Sequence, residues 1–342
     1  MKCTSFLIIG FGSIGKRHSK ILGAMFPHST LKILKSHNLI DDKEFQSDIF
    51  LNIEQARLFK PDATVVCSPA ATHIFYSQIF ADIKSNIFIE KPISISSAGI
   101  KHLIKTCEQN RTVLQVGYNL RFSASLQKFK EIVVSDQLGA LQKIECETGQ
   151  YLPDWRPESD YRLGVSARKE LGGGVLLELS HEIDYLRWIF GEVSWVSGKL
   201  TTEGSLEIDV EDTARFKMGF SAISNLNGLV ADVTLDFVRR TPARFCRVYG
   251  SMANLEWNGL TGEVQIFKLS KNIWEKIYKD PNDLSKTYEL ELLSFVDSVN
   301  TGNKPFVTGE DGLRVIEIIE ALRTASQSGG KIPVVYDLSV GR

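Results

Sequence analysis

The stretch from Phe6 to His18, FLIIGFGSIGKRH, constrains this chain more than any other. Four apolar residues, Phe6-Leu7-Ile8-Ile9, read as a buried strand. Gly10, Gly12 and Gly15 follow in the pattern G-x-G-x-x-G, and Ser13 and Ile14 open a helical run between the last two glycines. Gly10 permits a tight turn, Gly12 lets backbone approach a pyrophosphate, and Gly15 lets helix and strand pack closely. The start of that helix offers N–H groups and a partial positive charge to phosphates. Strand, glycine turn and helix in this order predict a dinucleotide site. Gly10 to Lys16 also fits G-x-x-x-x-G-K, but a P-loop next needs Ser or Thr to hold Mg²⁺, and Arg17 stands there. A nucleoside triphosphatase is therefore set aside.

From residue 5 to about 117 short apolar runs alternate with helical stretches, the rhythm of βαβ units and a parallel sheet. Leu31–Leu34, Ala63–Cys67, Asn86–Ile89 and Val113–Val116 read as further strands. Their carboxyl ends, where such sheets bind ligands, carry Lys35-Ser36, Ser68-Pro69, Glu90-Lys91-Pro92 and Tyr118-Asn119. After Arg121 the strands lengthen and alternate, around 140–149, 193–203, 211–220, 228–238 and 243–249, with one long helix at about 174–190. The fold class expected is α/β: a Rossmann domain at 1–120, then an α+β domain at 121–342 with a mostly antiparallel open sheet. Two closing helices, near 287–300 and 311–327, are able to pack back on the first domain.

With 40 basic against 41 acidic residues the net charge is −1, which gives no footing for a nucleic-acid or membrane-surface partner. The five cysteines are scattered and odd in number, as in a cytoplasmic protein with reduced thiols. The start lacks the long apolar core of a signal peptide, and no run approaches a membrane span.

Several side chains can carry chemistry. The acid that holds the adenosine ribose in NAD-binding folds belongs at the end of the second strand, where Lys35 and Ser36 stand instead. A lysine cannot accept from ribose hydroxyls but can meet a 2′-phosphate, so the expected cofactor is NAD(P)(H), with NADP(H) slightly favoured. Lys91 can hydrogen-bond a substrate oxygen and help move its proton, and Pro92 allows a cis bond before it. In Leu171–Trp188, Glu178, His181 and Asp184 recur every three residues and so share one face of a helix. A histidine among carboxylates can serve as acid or base near neutral pH, or simply be a satisfied core residue. No further ligands at suitable spacing follow, so no metal site is expected. The stretch from Tyr151 through Asp154-Trp155-Arg156 to Tyr161 suits a polar ring or anionic ligand, and equally an ordered loop at a subunit contact.

These pieces, GFGSIGKRH, DATVVCSPAATH, EKPIS, VGYNLRF, GGGVLLELSHEID and GEDGLRVIEIIEAL, resemble in order the glucose–fructose oxidoreductase / inositol dehydrogenase (Gfo/Idh/MocA) family across nearly the whole chain. The resemblance implies a bound nicotinamide and hydride transfer at a carbon of a sugar, polyol or related ring. It also implies an open sheet packing between subunits of a homo-oligomer, a dimer or tetramer. By position, Lys91 matches the catalytic lysine and His181 the catalytic histidine. Ser68, Pro69, Thr72 and His73 match cofactor-lining positions, joined by Glu90, and Asn119 and Arg121 lie where cofactor and substrate meet. This chain departs from the family's Asp-x-x-x-His, having Glu178-x-x-His181; with its longer side chain compensating for the missing residue, Glu178 is expected in the catalytic group. The run YLPDWRP…DYR…LGGGVLLELSHEIDYLRW is similar to members from bacterial surface-sugar pathways. The expectation is a sugar oxidoreductase; the alternative is a non-catalytic cofactor-sensing protein on the same fold.

Overall fold

The computed structural model describes residues 3–35, 49–221, 228–281 and 283–336. The chain forms two compact units, one running to Tyr118 and resuming over Tyr288–Ile316, the other comprising Asn119–Thr287 and the described residues from Glu317 on.

In the first unit β1 (Ser5–Ile9), α1 (Ser13–Met25), β2 (Thr30–Leu34), β3 (Ile49–Phe50), α2 (Ile53–Phe59), β4 (Ala63–Val66), α3 (His73–Asp82), β5 (Asn86–Glu90), α4 (Ile100–Asn110) and β6 (Leu114–Gly117) follow one another. Their six strands lie in the order β3-β2-β1-β4-β5-β6, and every pairing is parallel. β4 and most of β1 and β5 are buried. A strand covered on both faces reads as a continuous apolar run. Local chemistry sets the ends of the helices. Asn52 Oδ1 accepts from the Glu54 N–H at 2.7 Å to start α2, and the left-handed Lys60 (φ 49°) stops it.

The second unit holds α5 (Ala124–Val133), β7 (Leu141–Gly149), α6 (Val175–Glu178), α7 (Ser180–Phe190), β8 (Val193–Thr201), β9 (Thr213–Phe220), β10 (Val230–Asp236), β11 (Ala243–Gly250), β12 (Ala253–Asn258), β13 (Glu263–Lys268) and β14 (Ile273–Lys279). The chain ends in α8 (Asp283–Thr301), α9 (Gly309–Ser328) and β15 (Ile332–Pro333). Nine strands form one sheet, β14-β13-β12-β11-β7-β10-β9-β8-β15, antiparallel except between β7 and β10. Burial alternates along β10 and β12, the pattern of a sheet with one covered face. On that face Tyr185 meets Trp257 edge-on at 5.5 Å and hydrogen-bonds Cys146 at 3.0 Å, while Trp257 Nε1 donates to Ser125 Oγ at 2.7 Å. Asp283 fixes the start of α5 by accepting from the Ala124 N–H at 2.6 Å and from the hydroxyls of Ser123 and Ser125.

The long helix expected at 174–190 is two. Val175 N–H donates to the Glu211 carbonyl and Leu176 N–H to Glu211 Oε1, so Glu211 anchors α6. At Leu179 (φ −100°, ψ 30°) the backbone leaves helical geometry, and a tighter turn from Glu182 N–H to the Leu179 carbonyl starts α7.

Residues of α8 contribute to the core of the first unit. Leu292, Phe295 and Val296 join a core with Phe6, Ile8, Leu22, Ile33, Val65 and Phe88, and Phe88 meets Phe295 edge-on at 5.6 Å. All five cysteines are buried thiols with no disulfide, and burial pushes Cys3 up to about 12 and Cys107 to about 11. No described helix is long and apolar enough to cross a membrane.

Candidate functional site

In the first unit, β1 lies between β2, which follows it through α1, and β4, so the strand order reverses there. That switch point is where open parallel sheets take ligands. The glycine turn sits on it. Gly10 has φ +89°, and a Cβ there would stand 2.7 Å from the Ser68 nitrogen. A Cβ on Gly15 would stand 2.1 Å from the Gly10 carbonyl oxygen, so strand and helix approach as closely as backbone allows. Gly12 differs: a Cβ there meets nothing within 4 Å, so internal packing places no demand on it. It is the N-cap of α1, where no side chain caps and no acid occupies the first turn. A turn shaped this way, with the amides of Ser13, Ile14 and Gly15 heading an uncapped helix, fits a pyrophosphate.

Lys35 follows β2, half-buried, with its N–H donating to the Phe50 carbonyl at 3.1 Å. Ser36 lies outside the described residues. After β4, Thr72 Oγ1 stands 2.8 Å from both Ser68 Oγ and the Pro69 carbonyl, so this loop is tied to itself. His73 was expected to line the cofactor, but the structure gives it another task. Its ring is 1% exposed, with Nε2 2.7 Å from the Ser68 carbonyl and Nδ1 2.9 Å from the Pro92 carbonyl. It thus bridges the loops that end β4 and β5. Burial draws its pKa down, against the pull of the two carbonyls. At the end of β5 the Lys91–Pro92 bond is cis and Lys91 is half-buried. The Lys91 N–H donates to Glu90 Oε2 at 3.2 Å, while Glu90 Oε1 lies 2.5 Å from His18 Nε2. Glu291 completes this group, and one ligand atom from each of the three lies within 4.8 Å of the others.

The second unit carries His181. The glycines before it serve its own loop: a Cβ on Gly173 would stand 2.4 Å from the Val165 carbonyl, and one on Gly174 (φ +105°) 2.5 Å from Glu211 Oε1. Burial holds the Glu211 carboxyl above the ordinary range. His181 is half-buried as the second residue of α7, whereas Glu178 closes α6. The break at Leu179 therefore removes Glu178 from the shared helical face that its spacing suggested. Asp184, expected on the His181 face of the helix, and Arg121, expected where cofactor and substrate meet, are bound to each other. Arg121 donates to both carboxylate oxygens, at 2.9 and 2.6 Å, with both side chains buried. Asn119, expected near the cofactor, donates through Nδ2 to Thr287 Oγ1 at 2.7 Å and is buried.

In the loop ahead of α6, Trp155 packs edge-on against Phe237 and donates to the Gln150 carbonyl. The Tyr161 hydroxyl accepts from the Glu207 N–H at 3.2 Å. Asp154 and Arg156 are exposed. Sequence reasoning missed Glu211 and Glu291. Neither sits in a motif, and their partners lie 35 or more residues away in the chain.

The comparisons with known proteins agree with this geometry. Residues 4–118 match the family described as "Oxidoreductase family, NAD-binding Rossmann fold", and residues 130–334 its "C-terminal alpha/beta domain". The uncharacterized oxidoreductase YrbE of Bacillus subtilis is 27% identical over 96% of both chains. The myo-inositol 2-dehydrogenase of Thermotoga maritima is 26% identical over 89% of this chain and 91% of its own. Among solved structures, levoglucosan dehydrogenase in complex with NADH and levoglucosan superposes with a TM-score of 0.82 at 17% identity, covering 97% of this chain and all of that one. The WlbA dehydrogenase of Bordetella pertussis, in complex with NADH and UDP-GlcNAcA, gives 0.80 at 18%, covering 98% of this chain and all of that one. With both of its domains matched in order along the chain, this protein belongs to the Gfo/Idh/MocA oxidoreductase family and carries its NAD-binding domain.

Proposed function

We propose that the protein oxidises a hydroxyl-bearing carbon of a sugar, cyclitol or sugar derivative to the carbonyl, or reduces that carbonyl back to the hydroxyl. The observation that carries this reading is the uncapped glycine turn at the switch point, on the same sheet edge as Lys91. Relatives named for myo-inositol and levoglucosan support a polyhydroxylated ring as substrate. Bound at the turn, NAD(P) supplies the hydride acceptor or donor.

The protein's own residues handle binding and the proton. Amides of Ser13, Ile14 and Gly15 hold the pyrophosphate, and Lys35 reads the ribose end, with a slight preference for a 2′-phosphate. His181 takes the hydroxyl proton in oxidation and returns it in reduction. Lys91 hydrogen-bonds the same oxygen and stabilises negative charge developing on it. Nucleotide-linked sugars of bacterial cell surfaces are one set of candidates within this class.

The test is a screen of cyclitols, anhydrosugars and nucleotide sugars with NAD⁺ and NADP⁺, read by nicotinamide absorbance. On the substrate found, Lys91→Ala and His181→Ala should each lower kcat about 10²–10⁴-fold, the usual worth of a positioned acid–base group. Wild-type rates in both variants would end this assignment. Tighter binding of NADPH than NADH, reversed in Lys35→Asp, would support Lys35 as the ribose reader, and a preference for NADH would remove that role.

A further inference from the structure

Three titratable side chains from separate segments meet in the core of the first unit: His18 of α1, Glu90 at the end of β5 and Glu291 of α8. His18 and Glu291 are fully buried and Glu90 is 8% exposed. His18 Nε2 and Glu90 Oε1 form a 2.5 Å contact. Among the described residues, neither oxygen of Glu291 has a hydrogen-bond partner, nor has His18 Nδ1. Two carboxylates this close and out of water cannot both stay charged against a single histidine. Either a cation or a proton must balance them. Two ligands of one tetrahedral metal stand roughly 3.4 Å apart, given bonds of about 2.1 Å. The 2.5 Å between His18 and Glu90 is too short for that, and is a direct, short hydrogen bond between the two side chains.

We propose that Glu291 carries a proton in the folded protein and, as a neutral neighbour, keeps Glu90 against His18, making Glu291 a positioning residue for Lys91. The link is Glu90 Oε2, which accepts the N–H of Lys91 itself. Burial first, and Glu90 second, hold the Glu291 carboxyl well above the usual carboxylate range. Other groups face the cluster from every side. Arg17 of α1 lies over the Tyr288 ring at 4.5 Å, and Tyr288 itself is pushed up to about 12 by burial and by the two glutamates. Cys67, after β4, is held neutral by burial and the same two acids, while His73 of α3 and Lys91 flank Glu90. From β6, Gln115 Nε2 donates to the Glu291 carbonyl at 2.9 Å and fixes the main chain of α8 there. When rising pH strips the proton from Glu291, a second negative charge stands beside Glu90, and the strand end carrying Lys91 loses its anchor. The positioning role rests on Lys91 facing the cofactor; the proton does not.

Difference infrared spectroscopy of wild type against Glu291→Gln tests the proton. The carbonyl stretch of a neutral carboxylic acid should be present at neutral pH, vanish in the variant, and bleach in wild type as pH rises. Absence of that band would overturn the proposal, as would a stoichiometric divalent metal in the purified protein that E291Q loses. NADH titrations across pH, followed by fluorescence, test the positioning. Wild-type affinity should fall severalfold from neutral to alkaline pH, while E291Q, neutral throughout, should stay flat. Superimposable profiles would overturn the positioning role. Failure of the Lys91 assignment would show separately, as unchanged turnover in Lys91→Ala with the infrared band intact.

Discussion

Three glycines separated by a few residues have different reasons to be glycine, and substitution can tell them apart. Gly12→Ala meets no internal obstacle, so stability should stay within about 0.5 kcal/mol of wild type. The added methyl would stand between the turn and a pyrophosphate, and NADH affinity should fall at least about tenfold, or 1.4 kcal/mol. Gly10→Ala combines a left-handed φ with a 2.7 Å clash, and should cost about 1–3 kcal/mol in thermal or urea unfolding. His73 offers a test of pH dependence. Its folded pKa lies below the ordinary 6.5, so the unfolded chain binds the proton more readily. Its contribution is therefore present above pH 6.5 and lost as pH falls through and below that value. A His73→Gln variant should lose less stability on acidification than wild type does, measured as the change in Tm. The sequence showed His73 as a motif position but not its role, because the Ser68 and Pro92 carbonyls it bridges come together only in the folded sheet.

Elements were legible where one period dominates. Continuous apolar runs marked β1, β4 and β5 because parallel strands between helices are buried on both faces. The two-residue β3 left no pattern to read. The break at Leu179 escaped because LLELSHEID keeps helical spacing through it, and the start of α6 is held by Glu211, distant in sequence. That arrangement makes Glu211 a handle on α6. Glu211→Ala should speed amide exchange at Leu176, while Val175, bonded to the Glu211 main-chain carbonyl, keeps its acceptor; Glu211→Gln, which keeps an acceptor for the Leu176 N–H, should hold exchange close to wild type. Equal exchange in Glu211→Ala and wild type would show that the glycine turn alone fixes this segment.

At the scale of the whole molecule, composition and motif order were enough to expect a parallel sheet followed by a mostly antiparallel one. They also allowed the closing helices to return, without fixing what those helices complete. Leu292, Phe295 and Val296 close the first unit's core, and each buried side chain of this size contributes about 1.5–3 kcal/mol. Together that approaches the 5–15 kcal/mol by which a typical domain is stable. A fragment ending at residue 118 should therefore bind a hydrophobic dye and melt without a cooperative transition. The same fact orders events on the ribosome. The unit that begins first cannot close until residues 119–287 of the second have been made: its core must wait for residues near 296, roughly 10 to 35 s later at about 5–20 residues per second. Through that interval Phe88 and its neighbours stand open in the nascent chain, so a chaperone that holds apolar surface has a defined window in which this protein needs it.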